Sequence, residues 1–370
     1  MRIIATLLFL VVFLTSNAQC PPGNVILRSQ AEVDAFATDY PNCTAINGLL
    51  QIGFEFDQSD ITDLNSLSGI NSVQHLTVRV NPQLTNLDGL SAITSVGNLI
   101  LFQNAVLTDI NGLSGITTIT GDLRIQGNVT LPNLDGLGNL SSLGGDLWFQ
   151  TSFALADISA LTGLTTIGGS LKIHGGNELV AVDVFSNLTS VDGNLEVWTT
   201  SLTNLDGFSG VTSVNGTVDL YNNDDLTDIS GIENIAPETI TLLYLQDHAQ
   251  LSNCALENIC NYLSVEANAT NIYGNLSGCE SRDAIEAVCI VPTRNTAFLD
   301  IKLFPNPTSG MLQIDQIAPE QVIVYAHLGQ VIKRFSRPGQ VLDISELPAG
   351  MYYVQILAEG HTYMAKVVKE

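Results

Sequence analysis

Basic residues are the scarcest chemical resource of this 370-residue chain: 13 Lys and Arg stand against 37 Asp and Glu, a formal net charge of −24 at pH 7. The shortage is concentrated in residues 19–279, where Arg28, Arg79, Arg124 and Lys172 face 27 acidic residues; residues 281–370, with eight basic and nine acidic, are nearly neutral. Lys and Arg supply most non-specific affinity for phosphate, so the first region is expected to repel nucleic acid and anionic membrane. Long apolar runs are missing too. The stretch at residues 3–14 is too short to span a bilayer. With Arg2 before it and Ser16-Asn17-Ala18 after it, it reads as a secretory signal over residues 1–18, cleaved before Gln19. No later run is long enough to give the mature chain a transmembrane segment.

Catalytic and metal-binding motifs are also lacking. None of the five histidines, His75, His174, His248, His327 and His361, belongs to an HExxH, and there is no GxSxG elbow or phosphate loop. No CxxC pair occurs, and Asn222-Asn223-Asp224-Asp225 lacks the alternating spacing and Gly of a calcium loop. Neither a metal nor a cofactor is expected, and the chain is read as a non-enzyme. A polysaccharide-active β-helix enzyme is the alternative, because almost every repeat carries an Asp and paired carboxylates abound.

Cysteine is absent from the middle of the chain. Cys20 and Cys43 lie before the repeats; Cys254, Cys260, Cys279 and Cys289 lie after them. An even number in an exported chain favours disulfides, and the two groups suggest stapled caps for terminal turns that have no neighbour. Cys20–Cys43 is the expected N-terminal pair; three connectivities stay open for the last four.

What is present in abundance is a repeat. An apolar-x-apolar phrase, usually introduced by Gly-Asn, Gly-Asp or Gly-Gly, begins at Leu50, Leu76, Leu99, Leu123, Leu147, Leu171, Leu195, Val218 and Leu243, in steps of 23 to 26 residues. Such a period specifies a solenoid, in which each unit buries its apolar face only against its neighbours. Apolar positions three apart (Leu87, Leu90, Ile93, Val96) mix with the period-two Leu99 and Leu101, so each turn should hold a short strand plus 3₁₀ or irregular segments. The Asp-Gly, Asn-Gly and Gly-Gly dipeptides are read as corners that need positive φ. Asn104, Asn128, Asn177 and Asn223, just after the strand, are expected to stack and satisfy backbone groups. Seven Asn-x-Ser/Thr sequons, among them Asn128 and Asn275, are taken as by-products of the repeat's composition.

With the flanking apolar residues inward, the intervening and following ones point outward. These two series collect Phe102, Arg124, Trp148, Lys172, His174, Trp198, Tyr221 and Tyr244, including both tryptophans of the chain. Aromatics joined to isolated positive charge make a candidate surface for an extracellular glycan or an acidic peptide. The plainer account is that aromatics suit exposed strands.

Two resemblances complete the reading. Residues 20–289, with the Cys43-Thr44-Ala45-Ile46-Asn47-Gly48-Leu49-Leu50-Gln51-Ile52 stretch and repeats such as Leu87-Asp88-Gly89-Leu90 through Gly97-Asn98-Leu99-Ile100-Leu101, resemble the receptor L domain, a leucine-rich right-handed β-helix. Near the C-terminus, Leu303-Phe304-Pro305-Asn306-Pro307-Thr308-Ser309-Gly310, then Val324-Tyr325 with Gly329-Gln330, then Leu347-Pro348-Ala349-Gly350-Met351-Tyr352, and finally Lys366-Val367-Val368-Lys369 resemble the type A sorting domain of the type IX secretion system of Bacteroidota. That resemblance implies contact with the secretion machinery and delivery to the cell surface or the medium. The expected fold is therefore mainly β: a right-handed parallel β-helix or leucine-rich-repeat-like solenoid over residues 19–289, a linker over 290–298, and a small C-terminal β-sandwich over 299–370.

Overall fold

The computed structural model describes residues 20–54, 59–176, 178–289, 299–314, 318–326, 331–358 and 361–370. The signal segment, the 290–298 linker, Asn177, Gly329 and Gln330 lie outside the described residues. The chain divides into two units, residues 1–291 and 292–370.

In the first unit, eleven parallel strands form one ladder from Val25–Leu27 to Ala269–Tyr273. The expected leucines are register partners coil after coil: Leu99 with Leu123, Leu123 with Leu147, Leu147 with Leu171, Leu171 with Leu195. All are fully buried, as are Leu50, Leu76, Val218 and Leu243. Burying one leucine contributes about 2 kcal/mol, and because each side chain packs against the coils before and after it, the contributions are shared along the rod. The structure extends the ladder by one rung at each end, Val25 opposite Leu50 and Thr270 opposite Leu243. A second column of two-residue strands, such as Thr118–Ile119 and Ser142–Leu143, runs beside the first. On the remaining side each of eight coils makes a 3₁₀ segment, such as Asp88–Leu90 or Asp135–Leu137.

The glycines of the Asp-Gly and Asn-Gly pairs do not have the positive φ expected of them. Left-handed backbone occurs instead at the residue after each ladder strand from Ala45–Ile52 onward. It falls on Gly53, Gly127, Gly175 and Gly274, but also on Val80, Gln103, Thr151, Thr199, Asn222 and Asp247. Gly89, Gly112, Gly136, Gly207 and Gly231 are needed for a different reason: a Cβ there would lie 1.8–1.9 Å from a carbonyl oxygen of the preceding coil. Where Ala160 and Val184 replace this glycine, the 3₁₀ segment has five residues, Ser159–Gly163 and Asp183–Asn187; Ser66 replaces it in the first segment, Asn65–Leu67, which keeps three.

The residue after each left-handed corner turns inward. Asn81, Asn104 and Asn128 are fully buried; the Asn104 backbone N–H donates to Asn128 Oδ1 (3.0 Å), and Asn104 Nδ2 donates to the Val78 carbonyl (2.9 Å). Asn223, His248 and Asn275 continue the pattern, with His248 Nδ1 accepting from the Asn223 N–H at 3.2 Å. Burial lowers the pKa of His248, consistent with a neutral ring serving as an Asn substitute. In the coil where Asn177 was expected, the buried inward position belongs to Gly176. Asn128, wholly buried, is not a glycan acceptor in the folded protein.

The acidic excess has a local cause. Two residues before the first residue of the 3₁₀ segment, an Asn or Asp oxygen accepts that first residue's backbone N–H: Asn86 from Asp88, Asp109 from Asn111, Asn133 from Asp135, Asp228 from Ser230. The cap is Asn where the capped residue is Asp, and Asp where it is Asn or Ser. Each such coil thus carries one carboxylate at this corner rather than two.

Caps close both ends. The helix Gln30–Asp39 buries Val33 and Phe36, and its Ser29 N-cap accepts from the Glu32 N–H. Cys20–Cys43 staples this end; Cys254–Cys279 and Cys260–Cys289 settle the open connectivity at the other, around the helices Glu257–Leu263 and Arg282–Cys289.

The second unit has a five-stranded and a three-stranded sheet around one core that includes Leu312, Ile314, Val322, Val354, Ile356 and Val367. Its motif residues are structural ties. Asn306 lies between Pro305 and Pro307; it donates to the Lys366 carbonyl (2.7 Å) and accepts from the Val368 N–H (2.9 Å), which fixes the last strand, His361–Lys369. Gly310 has φ +140°, and a Cβ there would meet Ser345 Cα at 2.6 Å. Leu347 packs on the core, and the strand opened by Gly350 carries Tyr352, whose hydroxyl donates to the Pro348 carbonyl (2.8 Å).

Two substitutions two residues apart separate these roles of glycine. Gly136→Ala should destabilise the solenoid by about 2 kcal/mol or more, because its Cβ would sit 1.8 Å from the Ile110 carbonyl oxygen. Gly138→Ala, at φ −63° with its nearest contact at 3.3 Å, should be neutral or slightly stabilising. Thermal melts of both variants test this; equal losses would show that close approach is not what the column of glycines serves.

Candidate ligand-binding face

Outward residues of the ladder form two rungs running along the rod. The first holds Thr77, Ile100, Arg124, Trp148, Lys172, Glu196, Asp219 and Tyr244 in register; the second holds Arg79, Phe102, Gln126, Gln150, His174, Trp198, Tyr221 and Gln246. Strands about 4.8 Å apart place large side chains in contact across coils. Consequently most are half-buried rather than freely solvated: Tyr221 is 38% exposed, while Glu196 is only 7% exposed.

Six of the eight expected residues form one continuous cluster. Trp148 lies between two cations, with Arg124 Cζ 5.4 Å and Lys172 Nζ 5.5 Å from its ring centre. The His174 and Trp198 rings stack at 4.0 Å with an interplanar angle of 1°, Trp148 meets His174 edge-on at 5.9 Å, and Trp198 meets Tyr221 at 6.2 Å and 82°. Phe102 stands apart, covered by Arg79 at 5.2 Å. Tyr244 is the rung partner of Asp219, and among the described residues no ring contact ties it to the cluster.

Carboxylates hold this cluster in place, and only their position in the folded ladder reveals their roles. Asp122 accepts the Asp146 N–H with one oxygen (3.0 Å) and pairs with Arg124 through the other (2.6 Å). Asp146 accepts the Ser170 N–H (2.8 Å) and lies 3.9 Å from Lys172. Glu196 receives His174 Nε2 (2.9 Å) and Asn194 Nδ2 (3.0 Å), with Lys172 at 3.7 Å. Burial acts to raise the Glu196 pKa, yet the bonds from His174 and Asn194 and the Lys172 charge outweigh it and hold the group below its ordinary value. Asp219, its register partner, behaves oppositely: burial first, and then the Glu196 charge, push it up to about 6. The Trp198 N–H and His174 are near enough to oppose this rise, but the Trp198 N–H does not reach hydrogen-bond geometry. The buried Nε1 atoms of Trp148 and Trp198 have no hydrogen-bond partner.

The three central coils of this cluster depart from the repeat, while the flanking coils of Arg124 and Tyr221 keep Asn128 and Asn223. The inward Asn is replaced by Ser152, Gly176 and Thr200 directly after the strands Leu147–Gln150, Leu171–His174 and Leu195–Trp198. Two of these coils also carry the five-residue 3₁₀ segments. Among the described residues no group of three or more His, Cys, Asp or Glu could hold a metal ion, and no helix is long and apolar enough to cross a membrane.

Residues 302–370 match the family described as the secretion system C-terminal sorting domain. The C-terminal unit is a type IX sorting domain. The protein is accordingly one exported to the cell surface or the extracellular space, and its sorting unit implies contact with the secretion machinery. Comparison with curated proteins finds no match.

Asp219 gives a pH signature. A carboxyl whose pKa is raised on folding binds more protons folded than unfolded, so its contribution to stability falls as pH rises from about 4 to about 6. A shift of about two units corresponds to roughly 3 kcal/mol, which half-exposure and screening reduce to about 1 kcal/mol. Asp219→Asn should therefore melt above the parent at pH 7, with the gap closing near pH 4. Melting curves at both pH values check this; a gap that is absent or pH-independent overturns the assignment.

Proposed function

We propose that the solenoid is a non-enzymatic binding or adhesion module of the leucine-rich, receptor L domain-like kind, displayed through its type IX sorting domain, with the Trp148–Tyr221 cluster as its ligand-binding face. One observation carries this reading: a continuous aromatic and charged cluster spans five consecutive coils, from Arg124 to Tyr221, and its three central coils replace the internal Asn by Ser152, Gly176 and Thr200. Local departures from an otherwise regular pattern are expected at functional sites, where stability is given up for another purpose. Half-exposed aromatic rings beside charged groups suit the apolar faces and polar groups of an extracellular peptide or glycan.

A polysaccharide-active enzyme is supported by a separate observation, the neighbouring carboxylates Glu196 and Asp219 with pKa values displaced in opposite directions. Such a pair can divide acid and base roles. Incubation with extracellular polysaccharides distinguishes the readings: new chain ends that vanish in both Glu196→Gln and Asp219→Asn would favour the enzyme.

A glycan and peptide array probed with the secreted protein tests the binding reading. Trp198→Ala and Tyr221→Ala should each weaken a recognised ligand about thirtyfold, since losing a central aromatic costs about 2 kcal/mol or more. Because Trp198 is stacked and half-buried, its variant should also lose some thermal stability, whereas the more exposed Tyr221 variant should melt like the parent. Unchanged binding by both variants would make the face structural.

A further inference from the structure

We infer that this face takes a basic peptide segment, one of whose arginine or lysine side chains seats against Asp219 beside the Trp198 and Tyr221 rings. The inference rests on the binding reading above and assigns its ligand.

Of the four carboxylates on or beside the cluster, three already have a cation: Asp122 has Arg124, Asp146 has Lys172, and Glu196 has His174 and Lys172. Asp219 has none within ion-pair distance among the described residues. Its rung neighbours are Glu196 and Tyr244, and Tyr221 lies two residues on along its own strand. Lys172 and His174 are both engaged with Glu196; Asp219 faces the Glu196 charge and the aromatic rings, with only the Trp198 N–H and the shared His174 near enough to favour its charged form. Burial and the Glu196 charge push its pKa up to about 6 against the opposing Trp198 N–H and His174.

A cation repairs this arrangement twice, by neutralising the carboxylate and by meeting aromatic rings that attract positive charge. Trp148 is already bracketed by Arg124 and Lys172 and has less to offer. An acidic peptide, considered from the sequence, is disfavoured because Arg124 and Lys172 are both paired and the solenoid is strongly negative; the same field would draw a basic segment in. A flexible side chain fits better than an amino sugar, because Asp219 is half-buried among rings. A guanidinium or ammonium on a methylene stem can reach down to it, whereas an ammonium fixed to a sugar ring is held at the height of that ring.

The chain's two tryptophans give two indole N–H signals, assignable with Trp148→Phe, and acetyl-arginine amide is a sufficient probe. At salt high enough to screen the surface, titration should shift the Trp198 signal well beyond that of Trp148. Affinity should fall at least tenfold between pH 7 and pH 5, as Asp219 takes up a proton. Asp219→Asn should abolish the response and Asp219→Glu restore part of it; Asp206→Asn, the same charge change on an exposed 3₁₀ corner, should leave it intact. An equal response in Asp219→Asn, or one independent of pH, overturns the inference. So does tighter binding of a glucosamine oligomer than of an arginine peptide, which would assign the site to an amino sugar. An array ligand that needs Trp198 and Tyr221 but is not displaced by the arginine probe would leave the binding reading standing and remove this one.

Discussion

The strand-to-strand spacing of a parallel ladder, about 4.8 Å, is the constraint from which the rest of the solenoid follows. At that pitch a coil has no room for a Cβ where its 3₁₀ segment crosses the carbonyl of the coil before, so a glycine recurs there. The pitch is also short enough for one side chain to bridge two coils. An Asn turned inward can serve the backbone of both, and an Asp on the outer side can accept the next coil's N–H while holding a cation on the face. The left-handed corner after each strand is what turns the bridging residue inward. It is kept even where the residue is Val80 or Thr199, for which that conformation costs about 1–2 kcal/mol.

Much of this was legible in the sequence. The Leu-x-Leu register could be read directly because inward and outward positions alternate with period two, and a one-residue slip would have exposed every leucine. The caps were legible from where cysteine stops and starts. The purpose of Gly89 or Gly136 was not, since a glycine needed for close approach looks the same in sequence as one needed for positive φ; only the position of the preceding coil's carbonyl distinguishes them. The rung at Thr270 was hidden because a polar residue occupies a leucine position. Gly176, with no side chain, gave no sign in the sequence that it is buried two residues after its strand, where other coils place Asn.

The face was legible as a list of residues and not as a site. Register put Trp148 beside Arg124 and Lys172 on paper, but the half-burial of the cluster comes from contacts between coils that no single repeat contains. Asp219 illustrates the difference. In sequence it is one acid among many; in the ladder it is the carboxylate next to Glu196, on the side away from Lys172.

Alternation of Asp with Asn or Ser keeps the corner acids of the solenoid apart. Where an Asp caps the 3₁₀ segment the capped residue is Asn or Ser, and where the capped residue is Asp the cap is Asn, as at Asp109–Asn111 and Asn86–Asp88. Like charges two residues apart are thereby avoided, and each corner carboxylate is separated from the next by a coil and is open to solvent, where screening makes the repulsion weak. On the ladder face the acids are closer together and partly dry, so they need partners. Asp122, Asp146 and Glu196 each have a cation; among the described residues Asp219 has none within ion-pair distance, and that difference sets this place on the face apart.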